Sequence, residues 1–299
     1  MKILVTGANG LLGQHLVKSL LEKTVHHIIA TGKGSSRIPF IENERYTYCA
    51  LDITDGIAVN NFLLDCRPDI VVHAAAMTQV DECEVHPVEC WNLNVTATRF
   101  LIDACKEIKS FFIFISTDFV FDGDKGMYDE TAITAPANYY GSSKVAAEKA
   151  VEASGLDFAI ARTCLVYGSV LSGNRSNIIS WVKENLAAQK PIRVVSDQWR
   201  TPTYVEDLAN GIILIIEKKA KGIYHLSGEE VMTPYNMAVA VAQYCKLDKQ
   251  FLSETNAINF TQPAKRPVRT GFIIDKAKKE LSFAPVKFAE ALQKIFGSI

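Results

Sequence analysis

The chain opens Met1-Lys2-Ile3-Leu4-Val5-Thr6-Gly7-Ala8-Asn9-Gly10-Leu11-Leu12-Gly13: a short β-branched run, three glycines at three-residue spacing, then a helical pattern. Few arrangements restrict a fold as strongly. In such a strand–turn–helix one glycine permits the tight turn and a second lets backbone approach a pyrophosphate. The third lets the helix pack against the strand. Amides at the helix start lack intrahelical acceptors and face the anion. Gly7, Gly10, Leu11, Leu12 and Gly13 are therefore the candidate phosphate cradle. The apolar opening is not read as a secretion signal, because glycines interrupt it and no small-residue cleavage site follows.

Through residue 165 the chain alternates short apolar runs with amphipathic stretches. The pattern predicts strands at 2–6, 27–31, 46–50, 70–74, 111–116 and 158–161, and helices at 15–22, 58–66, 88–108 and 142–153. Alternation at this spacing implies right-handed βαβ units and a parallel sheet. The run Phe112-Ile113-Phe114-Ile115 suits a strand buried on both faces. Beyond 165 the pattern loosens. Helices are predicted at 177–188, 205–218, 234–246 and 287–296, with strands at 193–195 and 223–227. The expectation is an α/β protein: a doubly wound parallel (Rossmann) sheet over 1–165, to which 205–228 returns. A smaller, partly interleaved C-terminal substrate lobe covers 166–299, and 261–271 is the candidate functional loop.

Composition narrows the function classes. The 299 residues are 48% hydrophobic and 22% charged, with a net charge of −1, so no basic footprint for nucleic acid exists. No segment approaches the roughly 20 apolar residues that a membrane span needs. Seven cysteines without a Cys-x-x-Cys pair argue against a disulfide framework and a structural zinc site. Cys83, His86 and Cys90 are close in sequence, but Pro87 interrupts them and no fourth ligand has matching spacing. No metal is expected, and the chain reads as a reduced cytoplasmic protein.

A ribose-binding acid is expected at the end of the second strand. The chain instead reads Thr31-Gly32-Lys33-Gly34-Ser35-Ser36-Arg37, without a carboxylate. Lys33 and Arg37 suit a 2′-phosphate, which predicts NADP(H) in preference to NAD(H) without excluding the latter. Farther on, Tyr140 and Lys144 stand four apart in Tyr139-Tyr140-Gly141-Ser142-Ser143-Lys144. At about 100° per helical residue they project within roughly 40° of each other, and Tyr139 points elsewhere. A phenol with a pKa of about 10 is a sluggish proton donor and acceptor at neutral pH. The ammonium is expected to lower that value; a three-unit shift takes roughly 4 kcal/mol of differential stabilisation, to which nicotinamide charge and a dry pocket are expected to contribute. Thr117, at the end of the 111–116 strand, lies where parallel sheets meet ligands and is placed to bond a substrate carbonyl.

These residues resemble the extended short-chain dehydrogenase/reductase family, and within it the dTDP-4-dehydrorhamnose reductases, over nearly the whole chain. Ser116-Thr117-Asp118-Phe119-Val120-Phe121-Asp122-Gly123 is similar to the group's catalytic-threonine signature. His73-Ala74-Ala75-Ala76-Met77-Thr78 resembles the segment where backbone passes the cofactor and a threonine nears substrate, and Leu51-Asp52-Ile53 the segment at the adenine. The resemblance thus implies cofactor contacts at Asp52, Ile53, Ala74, Ala75 and Ala76, beside Tyr140 and Lys144. It implies substrate contacts at Thr78, Asp118 and Leu165, and a catalytic Thr117, Tyr140 and Lys144. Arg162-Thr163-Cys164-Leu165-Val166-Tyr167-Gly168 and Arg266-Pro267 match later motifs. Two positions depart from the pattern. Leu165 stands where tryptophan is common, and Trp199-Arg200 where the group tends to have glycine. Either Trp199 supplies the missing aromatic surface and Arg200 pairs with a diphosphate, or both are packing features. Arg175, Arg193, Arg266 and Arg269 are further candidate phosphate partners.

The resemblance implies NADPH-dependent reduction of a nucleotide-linked 4-keto-6-deoxy sugar. Its rivals are a nucleotide-sugar epimerase that retains its cofactor, and a non-catalytic chain resembling the methionine adenosyltransferase regulatory subunit. A nucleotide sugar is the expected partner, and a homodimer is compatible with the chain without being selected by it.

Overall fold

The computed structural model describes residues 1–173 and 176–297. β1 (Lys2–Thr6) passes through the glycine turn into α1 (Leu11–Lys23), and β2 (His27–Gly32) and β3 (Tyr46–Ala50) extend the sheet to one edge. α2 (Gly56–Cys66) returns the chain to β4 (Ile70–His73), on the other side of β1. Then follow α3 (Val80–Val85), α4 (Pro87–Trp91), α5 (Ala97–Ile108), β5 (Phe111–Thr117), α6 (Tyr139–Glu152) and β6 (Phe158–Thr163). The last part contains β7 (Val166–Tyr167), α7 (Ile178–Ala187), β8 (Ile192–Val195), β9 (Thr203–Tyr204), α8 (Val205–Lys218) and β10 (Gly222–His225). It ends with α9 (Pro234–Tyr244), β11 (Leu252–Thr255) and α10 (Phe288–Phe296).

The main sheet has seven strands in the order β10-β6-β5-β4-β1-β2-β3, all parallel. Strand order reverses between β1 and β4, and a crevice at such a switch point, outside the carboxyl ends, is where doubly wound sheets bind ligands. Alternate side chains explain the two buried faces. Ile3 and Val5 pack with Leu16, Leu20 and Ile212, whereas Leu4 joins Val71, Leu101, Phe112 and Ile160 on the opposite face. A third apolar cluster ties Ile179, Val182, Met237, Val241, Phe288 and Leu292 together in the C-terminal part. There β8 pairs with β11, a partner that has no clear signal in the sequence.

Two departures from the predicted elements fall beside the crevice. The single helix expected over 88–108 is α4 and α5 joined by a wider π-helical turn at Asn92–Thr96. That turn carries Asn94, whose amide accepts from Met77 N–H at 2.8 Å and donates to Met77 C=O at 3.1 Å and Ser143 Oγ at 3.0 Å. π turns recur at functional sites because they re-aim one side chain without ending a helix. The second helix begins at Tyr139, not 142, since Asn138 caps it by accepting from Gly141 N–H at 2.9 Å.

Candidate functional site

A cavity of about 1070 Å³ lies above the carboxyl ends of β1, β4 and β5. At its floor Gly7 has φ +67°, and a Cβ there would sit 2.6 Å from the Ala75 nitrogen. A Cβ on Gly13 would lie 2.4 Å from the Gly7 carbonyl oxygen. Both positions thus require glycine for close backbone approach. Gly10 is the N-cap of α1 and has no side chain with which to cap it, so the helix start presents amides to the cavity beside Leu11 and Leu12. Ala74, Ala75 and Ala76 follow β4 along the same wall, with Thr78 beyond them.

At the β2 end, Asn9 shapes the loop. Its amide donates to Ser35 C=O at 3.0 Å and to Tyr48 Oη at 2.9 Å, and accepts from Arg37 N–H at 2.7 Å. Lys33 meets Asp52 at 2.8 Å, which holds the Asp52 carboxyl well below the usual range. Lys33, Arg37, Asp52 and Ile53 all line this end of the cavity. Asn9 lies inside the glycine turn, and that position was its only sequence signal. Gln14, another residue the sequence did not flag, donates to Ser172 C=O at 2.9 Å and accepts from Leu171 N–H at 2.9 Å, stitching α1 to the segment after β7.

Thr117, Tyr140 and Lys144 converge at the opposite end, each less than a tenth exposed. β5 delivers Thr117 as its last residue, and α6 delivers the other two from one helix face. The Tyr140 phenol is hydrogen-bonded to Thr117, whose hydroxyl donates to Asp118 Oδ1 at 3.1 Å. Lys144 Nζ donates to the Ile115 carbonyl at 2.7 Å and lies 4.0 Å from the centre of the Phe114 ring. Tyr139 turns away, its ring meeting Trp91. Of the two neighbours, Tyr140 is the one that lines the cavity.

The expected electrostatics are reversed. Burial pushes the Tyr140 phenol up, opposed by the Thr117 hydrogen bond and assisted by Asp118, Cys83 and Cys90. Burial likewise pulls Lys144 down to about 7, opposed by Glu148, Cys90 and Cys83. In this dry corner burial shifts both groups toward their neutral forms, and the phenol is raised with no opposing pull from the Lys144 ammonium among its causes. Cys83 and Cys90 pack against Tyr140, whereas His86 is exposed and faces Glu82 at 3.5 Å, so these three do not converge as ligands.

Arg200, Arg266, Arg269 and Trp199 already have partners within the protein. Arg200 reaches the cavity wall, but its guanidinium is spent on the carbonyls of Trp199 at 2.8 Å, Val268 at 3.1 Å and Pro267 at 2.7 Å. It also meets the buried Asp118 at 3.6 Å, so it closes the wall and has few donors left for a diphosphate. Trp199 stands apart from the residues that line the cavity and lies under the Arg269 guanidinium, 5.0 Å from its ring centre. Arg193 lines a separate shallow pocket with Trp181 and Phe260. Arg266 borders the main cavity but is paired through both nitrogens with Asp81. Arg175 lies outside the described residues. Leu165 does line the cavity, in a left-handed conformation at φ +39°, a strained backbone state of the kind that collects at functional sites. Asp118 lines it too, its carboxyl raised by burial against the pull of Arg200 and Thr270.

The uncapped helix start, the basic loop and the length of the cavity suit a dinucleotide with room for a second ligand. Comparison with known proteins agrees. The family model described as the RmlD substrate binding domain matches residues 1–299. Methionine adenosyltransferase 2 subunit beta of Bos taurus is 34% identical over 256 residues, covering 84% of this chain and 74% of that protein. A dTDP-4-dehydrorhamnose reductase of Mycobacterium tuberculosis is 31% identical over 271 residues, covering 89% and 82%. The crystal structure of the Bacillus anthracis dTDP-4-dehydrorhamnose reductase in complex with NADP superposes with a TM-score of 0.83 at 28% identity, covering 99% and 98%. The chain belongs to the RmlD substrate binding domain family, on an extended short-chain dehydrogenase/reductase fold.

Proposed function

We propose that this protein is an NADPH-dependent reductase of a nucleotide-linked 4-keto-6-deoxy sugar, similar to dTDP-4-dehydrorhamnose reductase. The observation that carries this reading is the meeting of Thr117, Tyr140 and Lys144 with the uncapped glycine-turn helix in one cavity. Gly7, Gly10, Leu11, Leu12 and Gly13 hold the pyrophosphate, Ala74, Ala75 and Ala76 border the cofactor, and Ile53 and Asp52 meet the adenine. Lys33 and Arg37 take the 2′-phosphate, and the NADP complex of the Bacillus anthracis relative supports that choice. NADPH, when bound, supplies the hydride. Tyr140 gives its proton to the ketone oxygen, Thr117 aligns that oxygen, and Lys144 binds the nicotinamide ribose. Tyr140 and Thr117 interact side by side in the cavity, which supports their acting on one ketone oxygen. Thr78, Asp118 and Leu165 border the sugar. We assign residues 1–165 with 205–228 to cofactor binding and 166–299 to substrate. Seven free cysteines, four of them buried, support a cytoplasmic setting.

The test is to mix the purified protein with NADPH and dTDP-4-keto-6-deoxymannose and follow nicotinamide absorbance. Stoichiometric loss supports the reductase, whereas conversion without net NADPH loss supports an epimerase. Tight NADPH binding with no conversion would discard both. That last outcome points to the second reading, a regulatory chain, which the 34% identity to the methionine adenosyltransferase subunit keeps in play. Co-purification with a methionine adenosyltransferase catalytic chain would then decide it.

A further inference from the structure

A buried ion pair lies beside Lys144, and the proposed chemistry does not use it. Glu148 follows Lys144 by four residues in α6, and the two are 2% and 3% exposed, so they share the helix face turned to the sheet. Opposite charges at this spacing lie within reach of each other on a helix. Here each has another partner. Lys144 donates to the Ile115 carbonyl, while Glu148 receives Arg162 Nε at 3.0 Å and Arg162 Nη2 at 2.7 Å, one on each carboxylate oxygen. Arg162 lies on β6, opposite Ser116 in register and so one residue along from Ile115. The two contacts are thus made side by side on neighbouring strands. Arg162 Nη1 is buried and finds no hydrogen-bond partner among the described residues. Its fork is aimed at Glu148 and leaves its own third nitrogen unsatisfied.

We propose that Arg162 is a positioning residue for the reaction: by occupying both oxygens of Glu148 it keeps that carboxylate from capturing the ammonium of Lys144. The proposal rests on the reading of Lys144 given above. A buried carboxylate deprived of its cation must find another or take up a proton. Of the side chains around it, Lys144 is the cation one helical turn away. The other titratable groups facing Lys144 are His73 from β4, Cys83 from α3, Cys90 from α4 and Tyr140, and none of these is a carboxylate. An arginine suits the task because its planar fork meets both oxygens at once, whereas a lysine would leave one open.

The discriminating measurement is turnover of NADPH with dTDP-4-keto-6-deoxymannose in four proteins: wild type, Lys144→Met, Arg162→Met, and Arg162→Met combined with Glu148→Gln. Arg162→Met is expected to lose about 100-fold in turnover, as when a positioned proton-transfer group is disabled. Adding Glu148→Gln removes the competing charge and should return turnover to within about tenfold of wild type. A merely structural ion pair would also be relieved in the double variant, so turnover is read per folded molecule, with the folded fraction of each protein set by circular dichroism: a structural role predicts wild-type turnover per folded Arg162→Met molecule, and the proposal predicts the loss. Turnover in Arg162→Met equal to wild type, or a double variant no faster than the single, overturns the role of Arg162. If Arg162→Met does not fold, Arg162→Lys takes its place, with a loss of about tenfold expected and recovered by Glu148→Gln; absence of that recovery overturns the proposal equally. Inactive wild type would instead sink the reading of the whole site. Active wild type with an inactive Lys144→Met and a fully active Arg162→Met sinks only this inference.

Discussion

The two long walls of the cavity are built in opposite ways. The cofactor wall is set by short local motifs, the glycine turn and one face of α6, and it presents polar groups to the cavity: the helix-start amides and the Tyr140 phenol. The far wall joins residues separated by up to 185 positions, and its polar groups face one another. Arg266 holds Asp81, Arg200 holds the carbonyls of 267 and 268, and Thr270 donates to Asp118. A buried charge that is already paired contributes to shape, while a donor still aimed at the cavity contributes to binding. Charge type alone therefore does not mark a ligand contact.

The contrast is sharpest in Tyr140→Phe, which removes one inward-facing hydroxyl and leaves the fold. Turnover should fall by about 10² to 10⁴, with NADPH affinity and melting temperature nearly unchanged. Unaltered turnover would remove Tyr140 from the chemistry. On the far wall, Arg200→Met leaves Asp118 buried without its cation. The expected result is a stability loss of about 3 to 5 kcal/mol by denaturant titration, with NADPH binding retained. A stable Arg200→Met protein that binds the sugar nucleotide poorly would break the contrast and restore Arg200 as a phosphate ligand.

A smaller effect reads the burial of Lys144. Its folded pKa, about 7, lies below the unfolded value, so the unfolded chain binds more protons above pH 7. Its contribution to stability therefore rises with pH from about 7 toward its unfolded value of about 10.4. Lys144→Met should raise the melting temperature relative to wild type by roughly 2 °C or more at pH 6.5, and by less at pH 9.5. An equal change at both pH values would show that Lys144 is not desolvated as the structure has it.

Legibility followed the same division. The glycine turn, the alternation of strands and helices and the Tyr140–Lys144 spacing were readable because each is set by neighbours within a few residues. Thr117 was readable from its place at a strand end. Asn9 and Gln14 were not, because an isolated amide carries no pattern until its distant partners are known: Arg37 for one, Ser172 for the other. The π-helical turn at Asn92–Thr96 was invisible for the same reason, since its 88–108 stretch keeps helical periodicity.

By its own pattern the chain specified a parallel α/β sheet, the glycines that its first turn demands and the helix face shared by Tyr140 and Lys144. These follow from backbone sterics and helical pitch, which act over a few residues. Tertiary packing alone decided that Arg200 and Arg266 are consumed by the protein itself and that burial, not the ammonium, governs the Tyr140 phenol. Desolvation and charge pairing depend on what surrounds a group in three dimensions, and no spacing along the chain encodes that.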